Sequence, residues 1–350
     1  MIASNRDVGL ALPKTAVARL IGHDGPVQTL RFTGDGKYCL TGGHDRSIRL
    51  WNPTRLDPAF PPLPSGTSKH RDQSIAVEAL PRALPIQAYT DGYTHPISSL
   101  ALDQKSSTLV AASGNTLIVT DVVTKRVKRR YQGHAGRINA VAISDNCETF
   151  LSASYDATVC VWDGRASRSH TPIQIFKEAK DSVSCMHLDQ TDGNAVIMAG
   201  SVDGAVRSYD LRKGQIRCDQ VGGAITCMAP TYDDKCLAVS CLDGTIRLIE
   251  LDTGELLNTY SSHHKAGMYG LECCLTADDA TIVSGSENGD AVLYDLVRAT
   301  PIQILRGHRK PTCTIAAHPS VAQNSVILTG SYDGNAVVWA HESSFMRWEE

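Results

Sequence analysis

DATVCVW, residues Asp156–Trp162, opens on a turn carboxylate, runs through an alternating apolar strand and closes on an indole. The same form returns at Asp45–Trp51 (DRSIRLW), Asp203–Tyr209 (DGAVRSY), Asp243–Ile249 (DGTIRLI), Asn288–Tyr294 (NGDAVLY) and Asp333–Trp339 (DGNAVVW). The spacing from first to last residue is constant. Asn replaces Asp once, and Ile replaces the aromatic once. A fixed motif at a period of about 40–47 residues marks repeated supersecondary units rather than an ordinary globular core. Units of this kind point to surface recognition rather than chemistry.

Working outward, seven segments can be laid out, with starts at His23, His95, His134, Phe176, Gly222, His264 and His308. Each carries three apolar, alternating runs, as in INAVAIS (138–144), TFLSAS (149–154) and TVCVWD (158–163). A fourth run precedes the next start, such as RVKRRYQ before Gly133 or PIQILR before Gly307. The runs are rich in Val, Ile, Leu, Thr and Cys, which favours strands. Four short antiparallel strands repeated seven times predict an all-β, seven-bladed propeller over residues 16–340. The last segment lacks a fourth run after Trp339, and Thr15–Ile21 (TAVARLI) is a strand run without a unit. The N-terminal strand is therefore expected to close the last blade. Residues 1–15 and 341–350 are expected to be flexible termini.

Gly-His at the start, Ser or Thr in the middle and Trp-Asp at the end resemble the WD40 repeat, over nearly the whole chain. The resemblance implies a hydrogen-bonded tetrad of His, hydroxyl, turn Asp and Trp within a blade. Complete sets fall at His23, Thr41, Asp45, Trp51; at His134, Ser152, Asp156, Trp162; and at His308, Thr329, Asp333, Trp339. The chemistry suits burial, because a carboxylate accepts from an imidazole and an indole N–H needs one acceptor. His, Asp and Ser recurring in several units do not constitute a catalytic triad, which occurs once. Blade two has Thr120 for Trp, blade four has Ala199 at the hydroxyl position, and blade five has Gly222-Gly223 and no Trp. These blades are expected to be softer and held by packing.

Composition narrows the function further. The 350 residues carry 34 basic and 37 acidic side chains, net charge −3, which argues against a chain devoted to neutralising phosphates. No apolar run of about 18 residues occurs, so no membrane-crossing helix is expected. The N-terminal apolar stretch is too short for a secretory signal. Eleven cysteines without a C-x-x-C, several inside strands, read as reduced core thiols. No hydrolase elbow, phosphate-binding loop or zinc-protease motif is found, so neither catalysis nor a cofactor nor a metal is expected. The His263-His264 pair diverges on a strand, with His263 toward solvent.

Asn52–Ala88 exceeds the normal spacing and is rich in Pro and Ser. A protruding loop over 53–84 within blade one is expected. Its Phe60-Pro61-Pro62-Leu63-Pro64 stretch could serve as a polyproline ligand, although a tolerated surface insertion is the simpler reading. Lys125–Arg130 (KRVKRR) is the one strong basic cluster. It falls on the expected outer strand of blade two, where charge discourages edge pairing, and it also suits a nuclear address.

AGSVDGAVRSYDLRKGQ (199–215), AITC (224–227), LDTGELLNTY (251–260), YGLECCLT (269–276), YDLVRATP (294–301), FTGDGKYCLTGGHDRSIRLWNP (32–53) and QGHAGRINAV (132–141) resemble the mitogen-activated protein kinase organizer family of WD-repeat scaffolds. That resemblance implies a non-catalytic scaffold for the extracellular-signal-regulated kinase cascade, and an association with the spliceosome and pre-mRNA splicing. Kinase-cascade and spliceosomal proteins are then the expected partners of a monomer found in cytoplasm and nucleus, with no direct nucleic-acid or membrane contact. Residues just before the turn Asp should ring the mouth of the channel: His44, Tyr155, Val202, Leu242, Glu287 and Tyr332. Arg137, Tyr269 and Lys310 are expected on the same face. Tyr155, Tyr332 and His44 are the best anchors. A different class of function is also open. Trp162-Asp163-Gly164-Arg165 and Tyr209-Asp210-Leu211-Arg212 fit the W/Y-D-x-R pattern of substrate receptors for cullin-based ubiquitin ligases, with Arg165 and Arg212 as adaptor contacts. The same pattern arises structurally where the Arg pairs with an acid of its own blade.

Overall fold

A computed structural model describes residues 12–60, 79–165, 171–189, 196–323 and 325–341. The described chain forms seven four-stranded antiparallel sheets, arranged as a seven-bladed β-propeller. Strands are lettered a to d from the central channel outward. In blade three they are Ile138–Ile143, Thr149–Ser154, Val159–Asp163 and Gln174–Phe176. Phe150 pairs with Trp162 and Ser152 with Cys160 across strands b and c. The middle strands show why one blade cannot stand alone. Cys39–Gly43, Thr108–Ser113 and Ile327–Ser331 are buried at every position, so both of their faces are covered. The core is therefore a series of layers between blades. One layer packs Val110, Leu117 and Tyr131 of blade two on Val141, Phe150 and Trp162 of blade three.

Ring closure comes from the N-terminus. Thr15–Leu20 is the outermost strand of blade seven and runs antiparallel to Ala336–Ala340, with Thr15 opposite Ala340 and Leu20 opposite Ala336. Ala18 and Leu20 then join Val338 and Leu328 of blade seven, and Leu30 and Trp51 of blade one, in a single apolar layer. Blade seven is thus built from both ends of the chain, and its two chain segments cannot part without opening that layer. The Lys14 N–H donates to the Ala340 carbonyl, and the Pro13 carbonyl accepts from Gln303 of blade six. The stretch just before the strand is held as well. Residues 1–11 and 342–350 of the expected flexible termini lie outside the described residues.

The long connection of blade one leaves from strand c, Ile48–Leu56, and returns as strand d, Ala83–Tyr89. Its root is tied to the closing strand. The Arg19 N–H donates to the Pro81 carbonyl at 2.9 Å, and Asp57 N–H to the Arg82 carbonyl at 2.8 Å. Arg82 also lies over the Phe60 ring, 4.9 Å from its centroid. Pro61–Pro64 lie outside the described residues. All eleven cysteines are free thiols. No helix of the described residues is long and apolar enough to cross a membrane.

Candidate functional site

The turns between strands b and c, together with the loops leading into strand a, form one face of the disc. The polar frame of that face begins at the turn aspartates. In blade one, His23 Nδ1 lies 3.0 Å from Asp45 Oδ1, and its Nε2 lies 2.7 Å from Thr41 Oγ1. Trp51 Nε1 donates to the same hydroxyl at 2.9 Å. Blade three repeats this with His134, Asp156, Ser152 and Trp162, at 3.1, 2.7 and 2.8 Å. Blade seven repeats it with His308, Asp333, Thr329 and Trp339, at 3.1, 2.8 and 2.8 Å. A neutral imidazole with its hydrogen on Nδ1 satisfies the whole chain: indole to hydroxyl, hydroxyl to Nε2, Nδ1 to carboxylate. Burial opposes ionisation of Asp45. Hydrogen bonds from the His23 imidazole, the Ser47 hydroxyl and the Asp24 N–H outweigh it and hold the carboxyl below its ordinary value. Asp156 and Asp333 are lowered against burial in the same way. The tetrads are spent on joining strands b and c to the loop before strand a.

Blades four and five, expected to be held by packing more than by a tetrad, carry a polar lock of another kind. Arg207 donates through Nη2 to Asp203 Oδ2 at 2.6 Å and through Nη1 to Ser201 Oγ at 2.9 Å. Arg247 donates to Asp243 Oδ2 at 2.6 Å and to the Cys241 sulfur at 3.1 Å. A guanidinium from strand c here does the work of the missing imidazole, because a turn carboxylate near the blade interior needs a cationic or N–H partner. The signal was present in the sequence as Asp-x-x-x-Arg in DGAVR and DGTIR. It was ambiguous, since Asp45-Arg-Ser-Ile-Arg49 has the same form. There His23 takes the carboxylate, and Arg49 makes no ion pair with it. Blade six keeps a partial set. His264 Nδ1 donates to the Gly285 carbonyl at 3.0 Å and lies 3.0 Å from Ser284 Oγ. In blade two the Tyr93 hydroxyl meets Thr120 Oγ1 at 3.0 Å.

A second polar device, not legible from the repeat, lies in the channel. Arg31 of blade one pairs with Glu272 of blade six at 2.9 Å, and Glu272 also accepts from the Thr314 hydroxyl and the Ile315 N–H of blade seven. One carboxylate thereby clasps the three blades around the closure seam.

On the outer surface of this face the mouth of the channel is a funnel of about 540 Å³. Arg137, Tyr155, Val202, Leu242, Met268 and Tyr332 line it. Tyr269 and Tyr332, from blades six and seven, come together with ring centroids 5.0 Å apart at 54°. Tyr155 is 67 % exposed and Met268 84 %. Glu287 does not face outward as an anchor. Its Oε1 accepts from the Met268 and Tyr269 N–H groups at 2.6 and 2.9 Å, which sets the apolar loop in place. His44 lines a neighbouring hollow with His95 and Arg137, and Lys310 is exposed at the start of blade seven. Met268 escaped the sequence reading because it sits in a loop off the repeat pattern.

Arg165 and Arg212 lie on the opposite face, after strand c. Arg165 is 3.6 Å from both Glu148 and Asp163 of its own blade. The Arg212 N–H donates to Asp210 Oδ1 at 3.0 Å. Residues 127–130 of the basic run fall on Val127–Gln132, the outer strand of blade two, and Lys125 and Arg126 lie in the connection before it. Lys128 pairs there with Asp121 at 3.0 Å.

Comparison with known proteins agrees with this geometry. The family described as WD domain, G-beta repeat, matches residues 14–52, 125–163 and 299–340. The family described as Anaphase-promoting complex subunit 4 WD40 domain matches 215–316. The fold and its tetrads define a WD40-repeat propeller. The chain is 35% identical over 332 residues to the WD repeat domain-containing protein 83 of Rattus norvegicus, covering 95% of this chain and 94% of the relative. Identity and coverage are the same for the Homo sapiens protein of that name. The Dictyostelium discoideum homolog is 27% identical, covering 91% and 96%. The chain belongs to the family of WD repeat domain-containing protein 83.

Proposed function

We propose that this chain is a non-catalytic scaffold that gathers proteins on the mouth of the propeller. The expected cargo is the extracellular-signal-regulated kinase cascade, the spliceosome in pre-mRNA splicing, or both, in cytoplasm and nucleus. The observation that carries the reading is the rim itself. The polar groups of the turns are consumed within the blades, while Tyr155 and Met268 stand exposed around one opening and the half-buried Tyr332 lines it, packed on Tyr269. Nothing in the fold requires large apolar side chains there, and exposed aromatics contribute disproportionately to interfaces. A rigid disc that holds two proteins at once raises their effective concentration to about millimolar for short tethers. The ligase-receptor reading stands second, because the Arg165 side chain is already engaged by Glu148 and Asp163.

The test is affinity purification of the tagged protein from nuclear and cytoplasmic extracts, with and without nuclease, followed by mass spectrometry. A Tyr155→Ala/Tyr332→Ala variant runs beside it. Spliceosomal proteins that persist after nuclease and are lost in the variant support the splicing role. Kinase-cascade proteins lost in the variant support signalling. A cullin adaptor retained by wild type and lost on charge reversal at Arg165 and Arg212 overturns the scaffold reading.

A further inference from the structure

We propose that the channel mouth recognises a peptide segment of a partner protein in which a carboxylate side chain adjoins a large apolar side chain. The inference rests on reading the mouth as a protein-binding surface, and it adds the chemistry of the bound segment. It starts from which charges on this face are already spent. Asp45, Asp156 and Asp333 are held by imidazoles, Asp203 and Asp243 by guanidiniums, and Glu287 by two backbone N–H groups. Deeper in the funnel, Glu272 is committed to Arg31 and Thr314.

Arg137 is the opposite case. It is exposed at the head of strand a in blade three, and its Nε touches Asn139 Oδ1 at 3.3 Å. It lines the funnel and forms no ion pair among the described residues, so its guanidinium is available there to a carboxylate from a ligand. Exposed Lys265 and Lys310 add positive charge on the same face. Asp181 is the remaining acid of the lining. Its Oδ1 accepts from the Ser182 N–H at 2.6 Å, on the blade-four side. A carboxylate ligand is thus repelled from blade four and drawn toward Arg137. A guanidinium binds a carboxylate through two parallel hydrogen bonds, with more geometric specificity than a lysine provides.

The same funnel supplies the apolar half of the match. Tyr155 and Tyr332 line it together with Arg137, Tyr332 is backed by Tyr269, and Met268 projects beside them. Tyrosine rings are rigid and bury area at low entropic cost, while the methionine thioether adapts its shape to the guest. A purely acidic segment would leave this surface wet. A purely apolar one would leave the Arg137 guanidinium facing a desolvated contact unpaired. Only a segment that carries both side chains satisfies both parts.

The experiment selects a phage-displayed random dodecapeptide library on the full chain. Enriched peptides are then synthesised with a fluorescent label and measured by polarisation. Proteins compared are the wild type, Arg137→Glu, Arg137→Gln and Tyr155→Ala/Tyr332→Ala, each checked for an unchanged melting curve. We expect enriched sequences that place Asp or Glu beside Phe, Leu, Trp or Met. Their affinity should fall about tenfold or more in Arg137→Glu, in line with one charge-assisted hydrogen-bonded pair. Arg137→Gln should lose less, and selection on Arg137→Glu should enrich Lys or Arg instead. Peptides without an acid, or affinity unchanged by both Arg137 substitutions, overturn the inference. If such peptides still require Tyr155 and Tyr332, the protein-binding mouth survives without this chemistry. Peptides indifferent to all three residues, no enrichment at all, or competition by a single-stranded RNA oligonucleotide alone would sink both.

Discussion

Blades three and four are neighbours that meet one requirement with different donors. Each has a turn aspartate near the blade interior. In blade three Asp156 meets His134, which passes the connection on to Ser152 and Trp162. In blade four Asp203 meets Arg207, which passes it to Ser201. The other positions change in concert. The strand-b hydroxyl becomes Ala199, and the indole becomes Tyr209, whose ring packs on Phe176 at 4.3 Å. The fixed element is the carboxylate that organises the turn. Its partner is exchangeable in space but not in chemistry. An imidazole can stand neutral beside a neutralised turn, whereas a guanidinium carries its charge at every accessible pH.

That difference predicts the largest contrast in mutational cost. The Arg207 and Asp203 side chains are 6% and 10% exposed. Asp203→Asn strands a permanent charge there and should cost about 3–5 kcal/mol in chemical denaturation. Asp156→Asn keeps an amide oxygen as acceptor opposite the His134 imidazole and strands no permanent charge, so it should cost about 1–2 kcal/mol. Adding Arg207→Met to Asp203→Asn should recover most of the loss, because the uncompensated charge goes with it. Equal losses for the two single variants, or no recovery in the double, would break the distinction between the blades. Blade five sharpens it. Its Arg247 and Asp243 are 19% and 39% exposed, so Asp243→Asn should cost only about 1 kcal/mol or less. A loss as large as in blade four would mean that solvent does not moderate these pairs.

How far this was legible from the sequence depends on whether a feature repeats. The seven blades, the closing strand and the three full tetrads lie in residues that recur at one spacing, as Asp45, Asp156 and Asp333 do. The Arg207 and Arg247 locks recur too, but Arg49 has the same offset and a different fate. Only the presence or absence of the preceding His separates the cases. The Arg31–Glu272 clasp was not legible, because it joins residues far apart in the chain through ring closure. Arg137, Tyr155 and Tyr332 could be placed on one face by their position in the repeat. That they share one funnel with Met268 is set by loop geometry, which no periodicity encodes.

The smallest effect concerns blade six, which stands between the two types. His264 is buried, and its Nε2 has no partner. Burial, more than the opposing Gly285 carbonyl and nearby acids, holds its pKa below the ordinary histidine value. In the unfolded chain the same imidazole protonates near about 6.5. Below that pH the unfolded state binds more protons, so stability drops as pH falls from about 6.5 toward the lower folded value. The turn aspartates act in another window. Their folded values are depressed, so their contribution is complete above the ordinary carboxyl range of about 4 and is lost only below it. Denaturation midpoints between pH 7 and 5 should therefore fall for the wild type and fall less steeply for His264→Asn. His187 and His318 are also held low by burial, so some slope should remain. Parallel curves for the two proteins would assign the whole slope to those two residues and remove blade six from the acid response.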